Sequence, residues 1–200
     1  YSDKPEVMVQ AQMVETQVQV GLGDEKKAQA SATKAKSMYN DLAAPPVATT
    51  MEFARSMQAM NEDKAAKELL THLAARHEHD EDIMQLIDGI SAEPISDGGK
   101  LVAAKLTKEG ISSYETKSFS TAIDVFIEAL ATYPKHSGLN LNLVQAIIAD
   151  TEASGFKEKY EKLCRRSMRA IGDIGPENKQ YKRYSFLRKQ LEKHYPEAIS

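Results

Sequence analysis

Two hundred residues, 42% of them hydrophobic and 28% charged, suit one compact globular domain or one continuous solenoid. A formal net charge of −3 and a pI near 6.0 argue against a nucleic-acid binder, which would carry a basic excess. With no tryptophan, only 6% aromatics and an apolar content carried by alanine, leucine and methionine, the composition favours close helix packing over a sheet sandwich.

Pro5 is placed to open a helix, with Asp3 as its cap. Val7, Ala11, Val14 and Val18 share one face, which is expected to be the buried one. Gly21-Leu22-Gly23-Asp24 ends that helix, and Asp24 caps a second along Ala28, Ala32, Ala35, Tyr39 and Leu42. Pro45-Pro46 stops it, because consecutive prolines remove backbone donors and freedom. Thr49 or Thr50 opens a third helix facing inward with Phe53, Ala54, Met57 and Met60. After a turn at Asn61-Glu62-Asp63, a fourth carries Ala66, Leu69, Leu70, Leu73 and Ala74, and a short fifth at about 82–88 shows Ile83, Leu86 and Ile87. Residues 89–100, with Pro94, Ser96, Gly98 and Gly99, read as a loop, an internal boundary or flexible insertion.

The stretch 106–134 reads as two helices folded back on each other. Leu106, Gly110 and Tyr114 put a small residue between two large ones, and Ala122, Phe126, Ala129 and Tyr133 form the facing stripe. Phe119 can plug the open end of the hairpin. Residues 138–150 alternate leucine with asparagine as a strand would, yet Ala146-Ile147-Ile148 and the flanking helices favour a helix buried on most of its circumference. Phe156, Tyr160, Leu163, Cys164 and Ile171 mark one face of the next helix. A last helix at about 177–194 turns Tyr181, Tyr184, Leu187 and Leu191 inward and a basic side outward, as a solenoid's terminal cap does.

Ala122, Phe126, Ala129 and Pro134, with Gly110 opposite, follow the order of a tetratricopeptide (TPR) unit. Ala28, Ala32 and Ala35 repeat the rhythm, as do Ala66, Leu70 and Leu73. The chain therefore resembles a TPR protein: weak repeats at about 9–42 and 47–80, the best at about 103–136, and a degenerate repeat with its cap at 137–195. The unequal spacing of Ala28, Ala66 and Ala122 requires insertions after the first two units. The run from His136 to Gln145, with that from Asn178 to Tyr184, is similar to the tail of bacterial response regulators whose TPR output module follows a receiver domain. The resemblance implies an all-α, right-handed superhelix of antiparallel helix pairs, and an output or adaptor role in two-component signalling.

It also implies a concave groove that holds a peptide or helix of a protein partner. Carried over from the repeat register, the lining positions are Met51, Arg55 and Gln58, then Thr107, Ile111 and Tyr114, then Asn142 and Gln145. The Lys and Asn clamp by which some TPR domains grip a C-terminal carboxylate is missing from this register, so a chaperone-tail receptor is not expected.

Catalytic signals are sparse, and neither an enzyme nor a cofactor is expected. His72, His77 and His79 beside Asp80, Glu81 and Asp82 offer metal-ligand chemistry, and a metal-dependent enzyme is the alternative reading; the spacing suits a solvated helix end better. Cys164 sits on an apolar stripe, where a thiol is structural. Being the only cysteine, it excludes an internal disulfide and suits a reducing cytosol, so a cytoplasmic location is expected. No apolar run is long enough to cross a membrane, and the opening residues lack the features of a signal peptide. A start at Tyr1 suggests a piece of a longer protein. Between 61 and 98 there are ten acidic and three basic residues, whereas 155–200 hold twelve basic and six acidic. Such asymmetry could stack copies head to tail, so self-association is a second alternative.

Overall fold

A computed structural model gives the chain's fold and describes residues 4–60, 62–172, 175–176 and 178–199. Their regular structure is all helical: α1 (Pro5–Gly21), α2 (Glu25–Asn40), α3 (Val47–Ala59), α4 (Asp63–Arg76), α5 (Glu81–Ile90), α6 (Asp97–Glu115), α7 (Phe119–Thr132), α8 (Ser137–Ser154), α9 (Glu158–Ile171) and α10 (Tyr181–His194), followed by a single 3-10 turn at Pro196–Ala198. No strand occurs among them. The chain divides into two compact units, Tyr1–Ile87 and Asp88–Ser200.

In the first unit α1 packs on α2 and α3, and α3 packs on α4. Its core joins Val9, Met13, Ala35, Tyr39 and Phe53. The buried face of α1 is thus Val9, Met13 and Thr16, while Val7, Val14 and Val18 are 45%, 53% and 48% exposed. That reverses the face read from periodicity. Both stripes have helical spacing, and the polar neighbours decide between them. Gln12 Nε2 donates to Ser31 Oγ, and Gln10 Nε2 donates to Thr49 Oγ1 at 3.1 Å, so the glutamines flanking Val9 and Met13 are tied to α2 and α3. Tyr39 meets Phe53 ring to ring at 4.4 Å, and its hydroxyl shares a 3.0 Å hydrogen bond with buried Thr50. Asp24 caps α2, accepting from Lys27 N–H at 3.1 Å. Helix α3 begins two residues before Thr49, at Val47 after Pro46, so both threonines are buried inside it instead of opening it. The expected cap Asp3 and turn residue Asn61 lie outside the described residues.

In the second unit consecutive helices pack pairwise, α6 on α7, α7 on α8 and α8 on α9, with α10 returning onto α8. One core runs through all five. Gly110 lets α6 and α7 approach: a Cβ there would fall inside the van der Waals envelope of the Phe126 ring, which is 1% exposed. Phe119 closes the open end of this pair, its ring 5.3 Å from that of Tyr114.

Helix α8 explains the alternation that imitates a strand. Leu139, Leu141 and Leu143 are buried, and so are Asn140 and Asn142, because neighbouring helices enclose α8 on nearly every side. A buried amide needs partners. Asn140 Nδ2 donates to the carbonyls of Pro134 and His136 at 3.1 and 3.0 Å, and Asn142 Oδ1 accepts from Arg183.

Near the end of α8, Asp150 accepts from Lys157 Nζ at 2.5 Å and from the Tyr160 hydroxyl at 2.9 Å, tying α8 to α9. Burial alone would raise the carboxyl's pKa; the bonds from Lys157 and Tyr160 outweigh it and hold the value below the ordinary carboxylate range. Phe156 stands apart from the inward stripe expected of α9. It precedes the helix, is 59% exposed, and stacks on Tyr195 at 5.1 Å. Leu86 likewise turns outward at 55% exposure, while Ile87 and Ile90 of α5 are buried.

The loop expected across 89–100 is much shorter. Helix α5 continues to Ile90 and α6 starts at Asp97. The six residues between are fastened by buried Asp88, whose Oδ1 accepts from Ile95 and Ser96 N–H at 2.6 and 3.0 Å and whose Oδ2 accepts from the Ser96 hydroxyl at 2.5 Å. Ser137 N–H also donates to the Ala92 carbonyl at 3.1 Å, fixing the segment to the start of α8.

Candidate functional site

Helices α6, α8 and α10 of the second unit, with Phe126 of α7 at its floor, border a cleft of about 310 Å³ lined by Ile111, Tyr114, Glu115, Phe126, Asn142, Gln145 and Arg183. Four of the eight expected groove residues, Ile111, Tyr114, Asn142 and Gln145, meet here. The fifth, Thr107, lies one turn earlier on α6 in an adjoining cleft of about 520 Å³, which it shares with Ile111, Lys100, Lys108 and His136. The two clefts meet at Ile111, itself 40% exposed.

The first-unit residues are arranged differently. Met51 is buried in α3 at 6% exposure and cannot line an open groove. Arg55 is exposed and paired with Glu52, and Gln58 is half-buried with its own partner. None of the three lines the cleft of about 260 Å³ between α2 and α3, whose walls include Phe53, Ser56, Met57 and Met60.

Arg183 is not among the expected groove residues; the sequence places it only in the basic run near the chain's end, as a contact for an acidic partner or the wet side of a helix. It stands among the basic positions of the last helix, yet its guanidinium turns inward. Its Nη2 donates to Asn142 Oδ1 at 2.5 Å and Gln145 Oε1 at 2.7 Å, and its Nε donates to Gln145 Oε1 at 3.2 Å. Gln145 Nε2 donates in turn to the Tyr114 hydroxyl at 3.4 Å. Burial lowers the pKa of the guanidinium, with Tyr114 acting in the opposite sense, but an arginine stays charged throughout the working range. The available signal was spacing: Arg183 lies one helical turn before the inward Leu187.

The other candidates disperse. His72 and His79 are exposed and His77 is half-buried, and His79 meets only Glu78, at 3.3 Å. Among the described residues no three His, Cys, Asp or Glu side chains are grouped to hold a metal ion. Cys164 is fully buried, and burial foremost, then Glu161, pushes its thiol pKa up to about 12. A thiol so protonated is a poor nucleophile. Cys164 is therefore expected to resist a maleimide near neutral pH in the folded protein and to react fully once urea unfolds it; rapid labelling of the native protein would contradict this placement.

No helix among the described residues is long and apolar enough to cross a membrane. Compared with known proteins, the chain matches no family model, and no curated protein or solved structure is significantly similar to it.

Proposed function

We propose that the chain is a non-catalytic protein-interaction module whose helix pairs follow the TPR arrangement of a right-handed superhelix, with α10 as its cap. In this reading it is the cytoplasmic output or adaptor part of a bacterial two-component signalling protein. A partner's peptide or helix lies along α6 and α8. The observation that carries the proposal is the convergence of Ile111, Tyr114, Asn142 and Gln145, from two different helices, on one open cleft. The rigid pairing beneath it, fixed by Gly110 against Phe126, holds the cleft in shape before a partner arrives, which reduces the ordering entropy lost on association.

Site-specific photo-crosslinking tests this. A photoreactive residue at Ile111 is expected to capture a defined protein from the source cell's extract. The same group at Glu128, on the exposed side of α7, is expected to capture none of it. Identical products from both positions would remove the groove as the contact surface.

A further inference from the structure

We propose that the cleft between α6, α8 and α10 anchors one side-chain carboxylate of an acidic partner segment, and that Arg183 is the residue that receives it. This rests on the interaction reading above and names the chemistry of its ligand. The Arg183 guanidinium is half-buried, and its partners are the neutral oxygens of Asn142 and Gln145. Among the described residues it has no carboxylate partner, and its Nη1 makes no hydrogen bond to any of them. Removing a cation partly from water without an opposite charge is unfavourable, and here the deficit faces an open cleft. Asn142 and Gln145 take the Nε and Nη2 hydrogens and fix the plane of the guanidinium, so an incoming carboxylate meets the two remaining Nη1 N–H donors already oriented.

The rest of the lining narrows the ligand. Arg183 is the only cation among the described residues that line this cleft, and Glu115 lines it too. One cation beside one carboxylate suits a singly charged anion and disfavours a phosphate, which carries nearly two charges at neutral pH. Ile111, 40% exposed, supplies an apolar wall for a neighbouring aliphatic group. The cleft continues past Ile111 toward Lys108 and Lys100 instead of closing, so a chain can run through it, and an internal Asp or Glu fits better than a terminus. At about 1.5 Å of rise per helical residue, Lys108 lies roughly 9 Å along α6 from Tyr114, about three residues of an extended segment. A second acidic residue three positions away would meet it.

The test uses the 200-residue chain and two fluorescein-labelled peptide libraries, acetylated and amidated at their ends. One fixes Glu at the central position, the other Gln, and the remaining positions are mixed Ala, Leu, Ser and Gln. Fluorescence anisotropy is expected to show the Glu library binding roughly tenfold or more tightly, the range of a charge-assisted hydrogen-bonded pair. Arg183→Gln should abolish that preference. Arg183→Lys, which keeps the charge and loses the fixed plane of donors, should retain part of it with unchanged circular dichroism, which keeps the test informative if the glutamine variant unfolds. Equal affinity for both libraries, both weakened by Ile111→Asp, would overturn the carboxylate anchor while leaving the groove reading intact. Binding of neither library, together with no photo-crosslink from position 111, would overturn both. Displacement of the Glu library by inorganic phosphate but not by acetate at matched ionic strength would reassign the site to phosphate. A dimer in sedimentation that Arg183→Gln dissociates would make a second copy the occupant, and the peptide proposal would fall.

Discussion

Gly110→Ala is expected to destabilise the second unit by about 1–2 kcal/mol, although alanine is the better helix former by about 1 kcal/mol. The first methyl group at this position would overlap the Phe126 ring, which is buried at 1% exposure and faces Gly110 from α7. Phe126→Ala should cost about 3–5 kcal/mol through lost burial and the cavity left behind. The discriminating result is the pair. In the Phe126→Ala background the added methyl has room, fills part of the cavity and gains its helix propensity, so Gly110→Ala should become stabilising there. A coupling of about 2 kcal/mol is within the range for residues in contact. Urea unfolding followed by tyrosine fluorescence can read it, since there is no tryptophan and six of the eight tyrosines lie beyond Asp88. Strict additivity would mean that Gly110 and Phe126 do not limit how closely α6 and α7 approach.

The same pair shows what a sequence reveals. The small-large-small order of Gly110, Ala122, Phe126 and Ala129 is legible because the contact lies between helices joined by a short turn, where register is nearly fixed by spacing. The face of α1 was not legible in that way. Val7, Val14 and Val18 make as good a stripe as Val9, Met13 and Thr16, and the choice came from hydrogen bonds to residues far along the chain, Ser31 and Thr49. In α8 the apolar content alone could signal burial, but not which oxygen would satisfy Asn142.

The candidate site divides along similar lines. Ile111, Tyr114, Asn142 and Gln145 are expected from a repeat register, and α6 and α8 do bring the four to one cleft. Arg183 belongs to α10, outside the stretch that carries the expected repeat, and lies among Lys179, Lys182, Arg188 and Lys189, which carry the same charge. Charge composition cannot distinguish the one guanidinium that folds against two amide oxygens from those that stay in water. Met51 failed as a groove residue because α3 is buried at six positions, so a lining position inferred from register became core.

Asp88→Ala is expected to cost the second unit about 2–4 kcal/mol, because it strips one carboxylate from two backbone donors and a hydroxyl at once. Ile95 and Ser96 N–H lose a charged acceptor, and water replaces it only in part at these half-buried positions. Ser96 is the N-cap of α6, accepting from Gly99 N–H at 2.8 Å while donating to Asp88, so the first turn of α6 loses its alignment as well. Gly99 is confined by the same carboxylate: a Cβ there would collide with Asp88 Oδ2. Asp88→Asn should cost less, about 1 kcal/mol, since the side-chain carbonyl can still accept from both backbone groups while the amide replaces the second oxygen. Limited trypsin digestion gives a local readout at Lys100, in the first turn of α6. The alanine variant should be cut there much faster than the native chain, with the asparagine variant between them. Equal cutting rates in all three would show that residues 91–96 hold their course without the carboxylate.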